Sequence, residues 1–325
     1  MPAVAGSPDV GALVERARAG EARAVGRLIS LVENASPLLR EVMAALMPYA
    51  GGARVVGLTG SPGVGKSTST AALVRAFRAR GHRVGVLAVD PSSPFSGGAL
   101  LGDRVRMQDH ATDSGVFIRS MASRGHLGGL SWSTPQALRV LDAAGCEIVL
   151  VETVGVGQAE VEVASLADST IVLVAPGMGD AIQAAKAGIL EVADVFVVNK
   201  ADRDGADQTA RDLRNMLSLG ERRDPTAWQP PIVKTVASRG EGIDDVVAAL
   251  DAHHAWLLES GRLDAKRRVR AAEEVESIAV TALREEMGDL RGGSLLDQLA
   301  GQVVAGEIDP YAAADRLVGA VRDGR

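Results

Sequence analysis

The stretch from Arg54 to Thr70, RVVGLTGSPGVGKSTST, is the part of the sequence that most constrains the fold. A short apolar run leads into the pattern G-x-x-x-x-G-K-S at Gly60 to Ser67, and a helical pattern follows from Ala71 to Arg80. Strand, glycine-rich loop and helix in this order are the context of a phosphate-binding P-loop, where main-chain N–H groups and the positive end of a helix face the phosphates. The alternative is a glycine-rich turn that only connects a strand to a helix.

The P-loop pattern assigns roles to individual residues. Lys66 is expected to reach the outer phosphates and to act in catalysis, and the Ser67 hydroxyl is expected to ligate Mg²⁺. The predicted phosphate-binding residues are Gly60, Ser61, Pro62, Gly63, Val64, Gly65, Lys66, Ser67 and Thr68.

Strand and helix patterns alternate after the P-loop, and the strands are continuous Val/Ile/Leu runs, as in a mainly parallel sheet covered on both faces. The sequence predicts an α/β fold, a doubly wound P-loop domain over residues 51–261. A helical extension over 1–50 should precede it, with apolar residues at helical spacing from Val10 to Val32, and a helical region over 262–325 should follow it. The predicted strands are Arg54–Thr59, Arg83–Val89, Val116–Arg119, Cys146–Glu152, Ser169–Ala175, Val195–Asn199 and Ile232–Val236.

Composition excludes several classes of protein. The 325 residues carry a net charge of −6, so the surface as a whole does not attract nucleic acid or an anionic membrane. The single cysteine, Cys146, allows no intrachain disulfide and no cysteine cluster for a metal. No signal peptide and no apolar stretch of 18 residues is recognised, so a cytoplasmic location is expected.

Asn199-Lys200-Ala201-Asp202 follows a predicted strand late in the sheet. The Asp202 carboxylate can accept hydrogen bonds from guanine N1–H and the exocyclic amine, whereas adenine would leave it unpaired, which favours GTP over ATP. Asn199 and Lys200 should brace the loop and pack on the base. Further base contacts are expected after the last strand, at Val236, Ala237 and Ser238. An exposed polar turn is the plain alternative.

Two acidic residues, Asp90 and Glu152, end predicted strands that should flank the P-loop strand. Both are therefore candidates for the magnesium site, although either could instead cap a helix. Gly155, three residues after Glu152, is the expected sensor of the γ-phosphate. Many GTPases orient the attacking water with a Gln at the position that Val156 occupies here, so slow intrinsic hydrolysis is predicted.

Two glycine-containing segments are candidates for nucleotide-sensing switches. Asp103 lies in the first, between the second and third strands, and could reach the metal. Lys186, which follows the segment Gly177-Met178-Gly179-Asp180, is a candidate supplementary catalytic cation, as are Arg104 and Arg106. For each of the three, a solvated surface cation is the favoured interpretation. The five histidines form no ligand pattern and are expected to be structural or exposed.

Four motifs in order, the P-loop, VDPSSPFSGGALLGDRVRM, ETVGVGQAEVEV and NKAD, closely resemble the MeaB/ArgK family of P-loop GTPases. The resemblance implies a GTPase chaperone of adenosylcobalamin-dependent methylmalonyl-CoA mutase, which gates cofactor loading and protects the mutase. It also implies a homodimer joined through C-terminal helices, Mg²⁺ with GTP or GDP, and magnesium surroundings formed by Ser67, Asp90, Asp103 and Glu152. Without a D-x-H-x-x-G motif, the chain itself is not expected to bind cobalamin.

The resemblance also implies a partner-contacting switch over Gly177 to Lys186. The base loop departs from the family pattern, because Val236-Ala237-Ser238 stands where serine-alanine is commoner, so the base-contacting residue stays open. Alternatives to a GTPase switch are a P-loop kinase, as an older family name (arginine/ornithine transport-system kinase) suggests, a metal-delivery protein and a non-hydrolysing scaffold. The scattered histidines and single cysteine argue against metal delivery.

Overall fold

The computed structural model describes residues 9–91, 110, 112–123, 133–153, 159–177, 191–219, 226–287 and 294–322. Within them lies one seven-stranded sheet in which every pair of neighbouring strands is parallel, in the order β3-β2-β4-β1-β5-β6-β7. The strands are β1 (Arg54–Gly60), β2 (Val84–Pro91), β3 (Val116–Ser123), β4 (Ile148–Thr153), β5 (Ser169–Val174), β6 (Val195–Asn199) and β7 (Ile232–Thr235). The predicted α/β fold with a parallel sheet is confirmed.

The position of β2 differs from the expectation. Asp90 and Glu152 were both predicted on strands that flank β1, but only β4 and β5 pair with β1. Strand β2 pairs with β4 on its far side, so Asp90 starts from a strand roughly 10 Å from β1. Strand order depends on which side of the sheet each connection crosses to, and the strand sequences do not contain that information.

Eleven α-helices are described. They are α1 (Val10–Arg18), α2 (Ala22–Glu33), α3 (Leu39–Leu46), α4 (Lys66–Ala79), α5 (Thr134–Ala143), α6 (Ala159–Leu166), α7 (Ala206–Leu219), α8 (Ile243–Glu259), α9 (Arg262–Met287), α10 (Ser294–Val304) and α11 (Pro310–Arg322). Between β5 and β6, residues 178–190 lie outside the described residues.

The N-terminal apolar pattern is interrupted. The helical spacing from Val10 to Val32 continues through the break, but the structure ends α1 at Arg18 and starts α2 at Ala22. Gly20 has a φ of +87°, the left-handed conformation with which helices commonly end. The spacing of apolar residues does not reveal such a break, because both helices bury apolar residues at the same helical spacing.

The two faces of the sheet are covered by different helices. Val149 and Val151 of β4 share an apolar cluster with Leu28 and Ile29 of α2, so the N-terminal helices pack on that side together with α5 and α6. The opposite face, with Val56 and Leu58 of β1, packs against α4 and α8. Burial on both faces explains why the strands are apolar throughout rather than alternating.

The chain divides into two compact units, Met1–Arg267 and Arg268–Arg325, and the predicted boundaries at 50/51 and 261/262 stay predictions. In the second unit α10 and α11 contact each other, and Leu299 and Ala313 are buried. Many of its apolar side chains are exposed by 37–90%: Val269, Val275, Ile278, Val280, Leu283, Val304, Tyr311 and Val318. Among the described residues no helix combines the length and the apolar character that crossing a membrane requires.

A buried carboxylate fixes the beginning of α9 to the sheet within the first unit. Asp168, fully buried between α6 and β5, accepts a hydrogen bond from Val55 N–H at 3.0 Å. Its carboxylate also accepts from the Arg267 guanidinium, at 2.9 and 3.3 Å. Arg267 in turn donates to the carbonyls of Gly51 and Ala53, so one side chain joins α9 to the segment that enters β1.

Replacing Asp168 by Ala (Asp168→Ala) should therefore lower the free energy of unfolding by about 2–4 kcal/mol, because it leaves the Val55 N–H without its side-chain acceptor and a partly buried guanidinium without its counter-charge. The measurement is the urea midpoint of the full chain. Asp244→Ala is the matched control, since Asp244 is 89% exposed and lies 3.7 Å from Arg80, and it should change stability by less than about 0.5 kcal/mol. Equal midpoints for the two variants would contradict this role of Asp168.

Candidate functional site

The P-loop turns between β1 and α4 at the carboxyl edge of the sheet, and two of its glycines are required by close contacts. Gly60 has a φ of +139°, and a Cβ there would lie 2.2 Å from the Leu173 carbonyl oxygen of β5. Gly65, with a φ of +97°, would place a Cβ 2.4 Å from Asn199 Nδ2. A side chain at either position would force this loop away from the neighbouring strands.

Lys66 is the first residue of α4, and its side chain folds back over the loop. Its Nζ donates to the Gly60 carbonyl at 2.5 Å and to the Ser61 carbonyl at 3.3 Å, and the residue is only 8% exposed. The ammonium group is thus held among the main-chain groups that cradle phosphates in a P-loop.

The carboxylate of Glu152, near the end of β4, lies against the first turn of α4. Its Oε1 accepts from the Ser67 hydroxyl at 2.7 Å, and its Oε2 accepts from the Thr70 hydroxyl at 2.8 Å. Glu152 is 1% exposed and Thr70 is fully buried. Thr70 was not among the residues predicted from the sequence, although its spacing of three residues from Ser67 places both hydroxyls on one side of the helix.

The donor set fits a magnesium ion held together with a nucleotide. The Ser67 hydroxyl and the Glu152 carboxylate are hard oxygen ligands in hydrogen-bond contact, and Mg²⁺ characteristically takes one or two protein ligands and completes its shell with phosphate oxygens and water. Within the described residues, no group of three or more His, Cys, Asp or Glu could hold a metal ion.

Asn199, the last residue of β6, joins the P-loop to the predicted base loop. Its Nδ2 donates to the Val64 carbonyl at 2.8 Å. Its Oδ1 accepts from the Thr235 hydroxyl and from the Ala237 N–H, both at 3.1 Å. Because Asn199 is 3% exposed, these bonds are shielded from water and fix three segments relative to one another.

Lys200 and Asp202 follow on the exposed side. Lys200 has a φ of +58°, unusual for a residue with a side chain, and its Nζ donates to the Gly63 carbonyl at 2.6 Å. Asp202 has a side chain that is 45% exposed, and Arg239 Nη2 lies 3.4 Å from its Oδ2. Arg239 was not among the residues predicted from the sequence, because no local pattern marks it as a partner of Asp202.

The loop after β7 closes on itself. Val236 N–H donates to the Glu241 carbonyl at 3.0 Å, around a 3₁₀ turn over Ala237–Arg239. Val236 and Ala237 are buried, and the Ala237 N–H is engaged by Asn199, whereas Ser238 is exposed. Of the three predicted base contacts, Ser238 is the one that reaches the surface.

The structure therefore brings the predicted P-loop residues together with Glu152, Asn199 and Lys200, and it places the base loop beside Asp202. Asp103, Gly155 and Lys186 lie outside the described residues, as does the side chain of Asp90, whose backbone lies in β2 one residue before its end. The binding and catalytic roles of these four residues, like those of the other predicted site residues, stay predictions.

Of the described histidines, His253 is 1% exposed, and burial, followed by the charges of Lys266 and Arg54, lowers its pKa to about 3. His253 is therefore neutral at physiological pH, with its Nδ1 2.8 Å from the Ser169 hydroxyl. Cys146 is also buried, and burial raises the pKa of its thiol to about 11, so it is not a reactive thiolate.

Comparison with known proteins identifies the family to which the chain belongs. The model of the family described as methylmalonyl Co-A mutase-associated GTPase MeaB matches residues 25–289. A Pyrococcus abyssi protein, named provisionally as a GTPase, is 47% identical over 309 residues, which are 94% of this chain and 95% of that protein. GTPase ArgK of Escherichia coli is 40% identical over 266 residues, 80% of each chain.

Two further relatives are informative. The mouse mitochondrial protein named methylmalonic aciduria type A homolog is 36% identical over 273 residues, 82% of this chain and 65% of that protein. The crystal structure of a LAO/AO transport system kinase matches with a TM-score of 0.73 and 28% identity, covering 98% of this chain and 100% of that one. The P-loop, the guanine-type NKAD loop and these matches together show that the chain is a GTPase and belongs to the MeaB family.

Proposed function

We propose that this GTPase is a nucleotide-dependent chaperone of an adenosylcobalamin-dependent methylmalonyl-CoA mutase, gating cofactor loading and protecting the mutase from inactivation. The observation that carries the proposal is the match of the mutase-associated family over residues 25–289, which spans the whole nucleotide site. The name of the mouse relative, which refers to methylmalonic aciduria, supports the same metabolic context.

The chain's own residues would contribute to GTP hydrolysis in distinct ways. Lys66 and the main-chain N–H groups of the P-loop would neutralise charge that develops on the γ-phosphoryl oxygens as water attacks. Ser67 and Glu152 would hold Mg²⁺, which when bound neutralises phosphate charge. Gly155, Asp90, Asp103 and Lys186 keep the roles proposed from the sequence. Asp202 would select guanine, with Asn199, Lys200 and Ser238 shaping the base site.

The expected slow intrinsic rate follows from Val156, which offers no group to orient the attacking water. We propose that the mutase reshapes the loops around the γ-phosphate and supplies the acceleration. The similarity to a protein named as a transport system kinase favours a second candidate, phosphoryl transfer to a small acceptor rather than to water.

The function is tested with the full chain and a purified adenosylcobalamin-dependent methylmalonyl-CoA mutase from the same source. We expect a complex whose stability differs between GTP and GDP, and multiple-turnover phosphate release that rises at least about tenfold with the mutase. Lys66→Ala is the control and should show no acceleration.

With γ-labelled GTP, the label should appear only as inorganic phosphate, whereas label on an acceptor would favour the kinase. The chaperone proposal would be rejected if the complex were equally stable with GTP and GDP and if the mutase left the rate of GTP hydrolysis unchanged.

Thr70 is proposed as a positioning residue for Glu152. Thr70→Val keeps the shape of the side chain but removes the donor to Oε2, a charge-assisted bond in a buried place. The Mg²⁺ concentration for half-maximal GTP hydrolysis should rise about tenfold or more, and Thr70→Ser should restore it.

Thr209→Val is the matched control for the Thr70 experiment. Thr209 is also a buried helical threonine, and its hydroxyl lies 3.0 Å from a main-chain carbonyl. This variant should leave the Mg²⁺ dependence unchanged. Identical Mg²⁺ curves for Thr70→Val and the parent chain would show that Thr70 only packs.

We also propose that the chain is a homodimer joined through its C-terminal helices. The exposed apolar residues of α9, including Val275 at 67% and Ile278 at 48%, are the supporting observation, because apolar groups on one helix need a partner to leave water. Light scattering should give twice the monomer mass of 33.6 kDa.

Replacing Val275→Asp and Ile278→Asp together should shift this dimer to monomers at micromolar concentration, since each charge would be buried in the interface. Glu276→Ala, on the same turn, is the control and should leave the mass unchanged. A monomeric parent chain, or a double variant that stays dimeric, would reject this interface.

A further inference from the structure

We propose that Arg239 is a specificity-determining residue, which positions the Asp202 carboxylate for the two N–H donors of guanine. The inference rests on the proposed role of Asp202 as the base-reading carboxylate. It assigns a purpose to a side chain that belongs to neither the P-loop nor the NKAD motif.

The backbone of Arg239 is firmly held. It is the last residue of the 3₁₀ turn Ala237–Arg239, and its N–H donates to the Val236 carbonyl at 2.9 Å. The following Gly240 has a φ of +76°, which turns the chain back so that the Val236–Glu241 bond closes the loop. The closed loop therefore fixes the position of the Arg239 backbone, from which its side chain extends.

The guanidinium bridges two carboxylates on two loops. Arg239 Nη2 lies 3.4 Å from Asp202 Oδ2, and Arg239 Nε lies 3.1 Å from Glu241 Oε1. Glu241 belongs to the same closed loop as Arg239, whereas Asp202 belongs to the loop after β6. The ion pair therefore joins the two base-contacting loops on their exposed side, while Asn199 joins them on their buried side.

Guanine and Arg239 can use the same carboxylate at once. An ionised carboxylate has about four acceptor positions on its two oxygens. Guanine N1–H and its exocyclic amine would take one on each oxygen, which leaves acceptor capacity on Oδ2 for the ion pair with Arg239 Nη2 at 3.4 Å. The base has no need to displace the guanidinium, so the pair is compatible with the bound state.

The ion pair with Arg239 would orient the Asp202 carboxylate. The Asp202 side chain is 45% exposed, so without a partner it can rotate and be solvated by water in several orientations. The Arg239 guanidinium lies 3.4 Å from Oδ2 and is held on its other side by Glu241, so it favours one orientation of the carboxylate, which is what a two-point contact with the base edge requires. Exposed pairs of this kind are worth a factor of about two to five in an equilibrium.

The test measures dissociation constants of GTP, ITP and XTP with the full chain and Mg²⁺. ITP lacks the exocyclic amine and so loses one of the two contacts to Asp202. Arg239→Ala should weaken GTP about three- to fivefold and ITP less, so that the preference for GTP over ITP falls. In an Asp202→Ala background, adding Arg239→Ala should leave that preference unchanged.

Lys234→Ala is the control for loss of a neighbouring positive charge. Lys234 lies on β7 and pairs with Asp207, 2.8 Å away, so its removal should not alter the preference. Arg239→Lys keeps the positive charge but lacks the two separate nitrogens that reach Asp202 and Glu241. It should therefore restore only part of the preference for GTP over ITP.

Equal weakening of GTP and ITP by Arg239→Ala would overturn the inference, because a purely structural role affects both nucleotides alike. Asp202→Asn distinguishes this result from failure of the underlying assignment. Asp202→Asn should raise the affinity for XTP relative to that for GTP. If it does so, and Arg239→Ala leaves the ratio of GTP to ITP affinities unchanged, only the inference about Arg239 is rejected. An unchanged XTP ratio would remove both residues from base recognition.

Discussion

One buried amide side chain holds the nucleotide site together. Asn199 donates to the P-loop at Val64 and accepts from Thr235 and Ala237, so the phosphate-binding loop and the base loop share a single anchor. The same side chain explains why position 65 is glycine, because a Cβ there would collide with the amide nitrogen. A buried hydrogen-bond network of this kind, once fully satisfied, fixes one arrangement of its loops.

The side of the site where we propose that Mg²⁺ binds depends on a different pairing. Glu152 leaves β4, a strand adjacent to β1, and meets two hydroxyls that α4 presents one turn apart. The parallel sheet makes this possible, since all its strands bring their carboxyl ends to one edge, and a helix that starts there places its first turn beside the neighbouring strand. The same edge carries the guanine-type loop at the end of β6 and its partner loop after β7.

The opposite edge of the sheet is organised by charge. Asp168 and Arg267 tie the first turns of α9 to the entry of β1. Nearby, His253 is buried between Ser169 and Asp194, and its pKa of about 3 keeps it neutral. These groups are far along the strands from the P-loop, so they secure the scaffold rather than take part in hydrolysis. The carboxyl edge of the sheet, where the nucleotide site lies, contains strained backbone such as the positive φ of Lys200. The surrounding anchored structure stabilises this strain.

The fold class, the seven strands and the family could all be predicted from the sequence, because each depends on local patterns: apolar runs, glycine spacing and a strand-end tetrapeptide. Three features emerged only in the folded chain: β4 separates β2 from β1, Gly20 divides the N-terminal apolar pattern into two helices, and Thr70 and Arg239 face Glu152 and Asp202. Separation along the chain accounts for the last of these. Thr70 lies 82 residues from Glu152, and no local rule states which side chain a folded sheet will bring against a given carboxylate.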